Sequence, residues 1–143
     1  MYKDQLAPGS ATHILVVEDD DAVGDMLTML LEGEGYDVTL VRTAQAALHM
    51  LLPVVIACGA SPAVSASTGP RPAMVLLDLH LPDMSGEELI EHVALHDVPP
   101  IIVLSAKPDH ALEAANAMQH VRRVLAKPFP VDDLLEQIRT VLA

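Results

Sequence analysis

Four aliphatic runs in this 143-residue sequence each lead into residues that could do chemistry. "HILVV" (13–17) runs into Glu18, Asp19 and Asp20, and "MVLL" (74–77) delivers Asp78. "PIIVLS" (100–105) closes on Ser105, and "RVLAK" (123–127) closes on Lys127 with Pro128 behind it. A carboxylate at the tip of a buried strand is costly to desolvate, so Asp78 is either capped by a charged partner or placed there to react. Carboxylates crowded together repel, and hold protons or a cation instead of standing bare. Mg2+ suits them because it takes carboxylate and phosphate oxygens together and keeps waters. With an ammonium and a hydroxyl added, the set permits phosphoryl transfer to a carboxylate. Asp78 is the nucleophile in that chemistry. Lys127 pairs with it before reaction and with a phosphoryl oxygen afterwards, and Ser105 donates to another oxygen.

Bringing these residues to one place requires a particular framework. The runs 13–17 and 74–77 do not alternate, which predicts strands buried on both faces. Between the strands lie amphipathic stretches. Val23, Met26, Leu27, Leu30 and Leu31 form one helical stripe, with Asp20 or Asp21 able to cap its start and Gly33 and Gly35 ending it. "YDVTLV" (36–41) reads as a second strand, and Thr43 caps a helix through "AQAALHMLL" that Pro53 stops. Further helices carry Leu89, Ile90 and Val93; then Ala111, Leu112, Ala115 and Met118; then Val131, Leu134, Leu135, Ile138 and Leu142. The result is β-α repeated five times: an α/β fold with one parallel sheet covered on both sides. In such sheets the reactive crevice lies beyond the carboxyl ends of the strands.

Composition narrows the partners. Net charge is −12, from 20 acidic and 8 basic side chains, so a nucleic-acid surface within this chain and an anionic membrane are both disfavoured. No apolar run approaches the ~20 residues needed to cross a bilayer. No export signal is visible in "MYKDQLAPGSAT", which predicts a cytoplasmic protein with a flexible tail over residues 1–12. The single Cys58 is read as small apolar filler, in keeping with a reducing compartment.

The sequence resembles the receiver domain of bacterial two-component response regulators, the CheY-like family. The matching residues are "ILVVEDD" (14–20), "VLLDLHLPDMSG" (75–86), "VLSA" (103–106) and "KPF" (127–129), within a receiver domain placed at 13–143. The resemblance implies a doubly wound, flavodoxin-like (βα)5 sheet with strand order 2-1-3-4-5. It implies that Asp78 accepts a phosphoryl group from a histidine kinase or a histidine phosphotransfer protein. Glu18 and Asp19 are then the acid pair, with Asp19 a direct Mg2+ ligand and Glu18 acting through water. Asp78 and the backbone carbonyl of His80 complete the ligands, and Asp20 is left as helix cap. The Lys127–Pro128 bond is expected to be cis. Phosphorylation would be read out by downstream output on the face of the fourth helix, fifth strand and fifth helix.

Three features depart from the family pattern. Val124 stands where an aromatic residue usually swings inward on phosphorylation, and His120-Val121 replaces a usual Gly-Ala. "PVVIACGASPAVSASTGPRP" (53–72) lengthens the connection before the third strand, and is read as an insertion at the end of the sheet opposite the phosphorylation site. Among the histidines, His92 and His96 are spaced as a metal pair but are read as exposed helix residues. His80 is expected to overhang the phosphorylation site, and His13, His49, His110 and His120 carry no signal.

The function expected is a phosphorylation-controlled switch, not an enzyme, with at most slow self-dephosphorylation and no organic cofactor site. Two alternatives share the architecture. A phosphohydrolase with an aspartate nucleophile would want a second Asp two residues after Asp78, where this chain has His80. A flavodoxin-like cofactor binder would want a phosphate-cradling loop after the first strand, where this chain is acidic. No output domain follows the last helix, which reads either as a stand-alone receiver or as a domain of a longer regulator or hybrid kinase.

Overall fold

The computed structural model describes residues 12–52, 54–55, 64–65, 72–93, 98–106 and 120–143. Its elements are β1 (His13–Val17), α1 (Asp21–Gly33), β2 (Asp37–Val41), α2 (Ala44–Leu51), β3 (Val54–Val55), β4 (Val64–Ser65), β5 (Met74–Asp78), α3 (Gly86–Val93), β6 (Ile101–Ser105), β7 (Val121–Ala126) and α4 (Val131–Leu142). Five strands form one parallel sheet in the order β2-β1-β5-β6-β7. Numbered among themselves, that order is 2-1-3-4-5, as expected.

Alternation along the strands divides the core. Leu15, Val17, Val75, Leu77 and Val103 face one layer with Ala44 and Ala47 of α2 and Leu89, Ile90 and Val93 of α3. Ile14, Val16, Met74, Leu76, Ile102 and Leu104 face the other, with Leu27 and Leu31 of α1 and Leu134, Leu135 and Ile138 of α4. The three central strands, β1, β5 and β6, are buried at every position, which is why they read as unbroken aliphatic runs. The edge strands β2 and β7 are only partly covered.

The helix ends follow local chemistry. Asp20 caps α1 by accepting the amides of Ala22 and Val23, and Gly35 ends that helix at φ 95°. There the Tyr36 amide reaches the Leu31 carbonyl (3.1 Å) and the Gly35 amide that of Glu32 (3.0 Å), a Schellman closure that a residue with a side chain would strain. Thr43 caps α2 through the Ala46 amide.

Several boundaries differ from the sequence reading. The last strand begins at Val121, two residues earlier than expected. Ile101 pairs with Val121 and Ile102 with Arg123, so Arg122 is an extra residue in an irregular register, which the adjacent arginines disguise as a loop. Met26 and Val131, expected to face inward, are 41% and 43% exposed: Met26 lies at the margin of its helix's apolar stripe, and Val131 is in line with Leu134, Leu135 and Ile138 but is the first residue of its helix. Within 53–72, read as irregular, Val54–Val55 and Val64–Ser65 pair as a short antiparallel ladder. The expected helix over 111–118, residues 1–11 of the expected tail, Cys58 and His96 lie outside the described residues, as does Lys107, two residues past Ser105.

Candidate functional site

Strand register assembles the site. Val17 pairs with Leu77, so the residues that follow, Glu18 and Asp78, emerge side by side at the carboxyl edge. Asp78 pairs with Leu104, setting Ser105 one step further out, and Ser105 pairs with Ala126, setting Lys127 one step beyond that. Backbone bonds fix these ends. The Glu18 amide donates to the Val41 carbonyl (3.0 Å), and the Lys127 amide donates to that of Ser105 (2.8 Å). The Lys127–Pro128 peptide is cis.

Glu18, Asp78 and Ser105 are 1%, 4% and 2% exposed, while Asp19 stands in solvent. The Lys127 ammonium lies 3.1 Å from Glu18 Oε2 and 3.4 Å from Asp78 Oδ1, bridging the two buried carboxylates. The other Glu18 oxygen accepts the Asp20 amide (3.2 Å), and Asp78 Oδ1 accepts the His80 amide (3.2 Å). One cation between two carboxylates leaves a deficit of positive charge. Burial, followed by hydrogen bonding to the Asp78 carboxyl, raises the Glu18 pKa to about 7, against the opposing pull of Lys127. Burial alone would lower the Lys127 pKa, but its bond to Glu18 and the charges of Asp78 and Glu18 outweigh that and raise it.

Glu18, Asp19 and Asp78 each offer an oxygen within 4.8 Å of the others, forming among the described residues an acidic group that could hold a metal ion. On octahedral Mg2+ opposite ligands stand about 4.2 Å apart and adjacent ones about 2.9 Å, so these oxygens would draw together, or one would act through an intervening water, to share such an ion. The donor set is all oxygen, which suits a hard cation. His92 is exposed on α3 and takes no part.

The connection from β5 to α3 closes on itself beside Asp78. The Gly86 amide donates to the Leu79 carbonyl (2.9 Å). A Cβ on Gly86 would lie 2.7 Å from Leu79 Cα and 3.2 Å from the Asp78 carbonyl oxygen, so only glycine lets α3 start this close to the end of β5. Ser85 caps α3 through the Glu88 amide (3.1 Å). Asp83, in the same connection, turns elsewhere. Its two oxygens accept the Ala44 and Gln45 amides at the start of α2, both at 2.9 Å. Sequence reasoning missed this bond, and nothing in the local pattern announces it. Its partners are 39 and 38 residues away and meet only because β2 and β5 flank β1 and send their connections to one layer.

Comparison with known proteins agrees with this geometry. Residues 14–139 match the family model described as the response regulator receiver domain. The chain is 31% identical over 130 residues to the DNA-binding response regulator MtrA of Mycolicibacterium smegmatis, covering 91% of this chain and 50% of that protein. It is 31% identical over 131 residues to the KDP operon transcriptional regulatory protein KdpE of Escherichia coli, covering 92% and 51%. It thus spans about half the length of these relatives. A CheY-like receiver domain from Methanospirillum hungatei superposes with TM-score 0.70 at 29% identity, covering 93% of this chain and 94% of that one. The chemotaxis response regulator CheY4 of Vibrio cholerae, at 21% identity and TM-score 0.73 over 93% and 100%, shares the fold. A match running from the first strand into the last helix settles the assignment, and sets aside the phosphohydrolase and flavodoxin readings: the chain belongs to the response regulator receiver domain family, phospho-accepting signalling switches.

Proposed function

We propose that Asp78 is the phosphoacceptor of this switch and that Glu18, Asp19, Asp78 and the His80 carbonyl hold Mg2+ during the transfer. The observation that carries the reading is the Lys127 ammonium lodged against Asp78 (3.4 Å) and Glu18 (3.1 Å) at the carboxyl edge of the sheet. In the reaction, an Asp78 oxygen attacks the phosphorus of a phosphohistidine on a kinase or phosphotransfer protein. The P–N bond breaks, the imidazole departs with its electron pair, and an acyl phosphate remains on Asp78. Lys127 exchanges its contact with the Asp78 carboxylate for one with a phosphoryl oxygen, and the Ser105 hydroxyl donates to another. Mg2+, when bound, would offset the charge of the carboxylates and of the transferred group.

The phosphorylated state biases a two-state equilibrium read by an output domain or partner protein. We assign the readout to the face that includes β7, α4 and the fourth predicted helix, the last lying outside the described residues. A receiver domain over 13–143 with an insertion at 53–72, working in the cytoplasm beside its kinase, fits the family's mode of action. Among the described residues no helix is long and apolar enough to cross a membrane. The test is intact-mass spectrometry after incubation with Mg2+ and a small phosphodonor. One phosphate should appear on the wild type and be absent from Asp78→Asn and from chelator-treated protein. Label persisting on Asp78→Asn would overturn the assignment.

A further inference from the structure

We infer that Asp83 is a positioning residue for the phosphorylation site, tethering the 79–85 connection to the first turn of α2 and thereby fixing the His80 backbone beside Asp78. The inference rests on the reading above that the His80 carbonyl is a metal ligand.

The connection leaves β5 at Asp78 and is pinned at both ends. At its start the His80 amide donates to Asp78 Oδ1 (3.2 Å), and at its base the Gly86 amide donates to the Leu79 carbonyl (2.9 Å). Among the described residues, two kinds of contact hold what lies between. Leu81 and Met84 pack, half-buried, against the core layer of α2 and α3. Asp83, itself exposed, is held by both carboxylate oxygens at 2.9 Å from the Ala44 and Gln45 amides. Apolar packing is non-directional and tolerates sliding. A carboxylate held by two charge-assisted bonds does not.

Thr43 satisfies only the Ala46 amide, at 3.1 Å, and leaves the Ala44 and Gln45 amides to Asp83. The Asp83 bonds differ in joining two segments far apart in sequence. Losing them leaves two first-turn amides of α2 without these partners and removes from the 79–85 connection a directional anchor to the rest of the fold. The Ala44 and Gln45 bonds also lower the Asp83 pKa, so the tether is fully ionised at neutral pH.

The test compares Asp83→Ala with Thr43→Ala, which removes α2's own cap and leaves the tether in place. Mg2+ affinity is measured by calorimetry on the metal-free protein, alongside the Mg2+ dependence of labelling by a small phosphodonor and the thermal midpoint. Asp83→Ala should weaken Mg2+ binding about tenfold, the effect of removing a residue that orients a ligand. It should raise the Mg2+ concentration for half-maximal labelling in step, while the limiting rate at saturating Mg2+ holds within about twofold, since the reacting groups are untouched. Thr43→Ala should lower the midpoint at least as much with Mg2+ affinity unchanged. Should Asp83→Ala fail to fold, Asp83→Asn, which keeps the shape and loses one acceptor, should give the same split with a smaller shift. The inference is overturned by Mg2+ affinity unchanged in the Asp83 variants, or weakened equally in Thr43→Ala. Failure of the underlying reading looks different: wild-type Mg2+ binding would be absent, or would survive Asp19→Asn.

Discussion

Lys127 stands closer to Glu18 (3.1 Å) than to Asp78 (3.4 Å), so the ammonium that meets the proposed phosphoacceptor is first the counter-ion of another buried acid. One positive charge therefore serves two desolvated negative ones, and an added cation is the natural remedy.

That arrangement makes the metal-free protein sensitive to Lys127. Removing it in Lys127→Met leaves two carboxylates without their cation in a site that excludes most water. Breaking a buried pair from one side costs about 3–5 kcal/mol, but the Lys127 side chain is 25% exposed, so solvent screening reduces the expected loss to about 1–3 kcal/mol. Asp78→Asn should act in the opposite direction by removing one of the repelling charges. Urea unfolding at pH 7, with and without Mg2+, checks both. Lys127→Met should also gain more from Mg2+ than the wild type does.

The raised Glu18 pKa fixes a pH dependence. The carboxyl titrates near 4.5 when unfolded and at about 7 when folded. Its protonated form is favoured by folding, so its contribution is fully present below about pH 4.5 and is lost as pH rises through about 7. Stability of the metal-free protein should fall by about 2–3 kcal/mol between pH 5 and 8 from this group. Asp83, whose pKa is lowered, loses its contribution only as pH falls through its folded value, outside this window. Glu18→Gln should flatten the slope, and unfolding free energies at several pH values will show whether it does.

Two glycines should respond oppositely to alanine. At Gly86 a methyl would press to 2.6 Å from Leu79 Cδ2 and 2.7 Å from Leu79 Cα, and the second of these is backbone that cannot move aside. Gly86→Ala should cost about 2–3 kcal/mol as an overpacked site. At Gly33, in the last turn of α1, a methyl meets nothing within 4 Å. Gly33→Ala should stabilise by about 0.5–1 kcal/mol through helix propensity. Thermal melts of the two variants give the signs directly.

What the sequence disclosed and what it withheld divide along physical lines. Continuous aliphatic runs marked β1, β5 and β6 because strands covered on both sides need no polar face, and the residues at or just past their ends named Glu18, Asp78 and Ser105. Caps within one turn, such as Asp20 and Thr43, were legible because the bonded amides lie two or three residues away. Asp83 was not legible, since its partners come from another loop. The preference of Lys127 for Glu18 was also hidden, because it depends on the offset between neighbouring strand ends. Met26, at the margin of its stripe, and Val131, at the first residue of its helix, were misread because periodicity marks a direction and not how far the neighbouring layer reaches.

The lifetime of the phosphorylated state should depend on His80. Hydrolysis of an acyl phosphate on Asp78 requires water in line with the P–O bond, opposite the carboxylate oxygen that leaves. His80 is exposed two residues past Asp78, and its amide is bound to Asp78 Oδ1 (3.2 Å), which keeps its backbone beside the carboxylate; its ring is expected to border the approach. Its ring is larger than the small polar side chains that would leave the path open. Lys107, two past Ser105, is the other residue expected to border the path; as a cation it is no base for the attacking water. Obstruction by His80 predicts slow self-dephosphorylation that quickens several-fold in His80→Ala. Were the imidazole instead a general base, its removal would slow decay by up to ~10²-fold, the low end of such catalysis. Decay of the phosphorylated protein, followed by intact mass after the phosphodonor is removed, separates the two by sign. A rate unchanged in both His80→Ala and Lys107→Ala would mean that neither side chain controls access of water to the phosphoryl group.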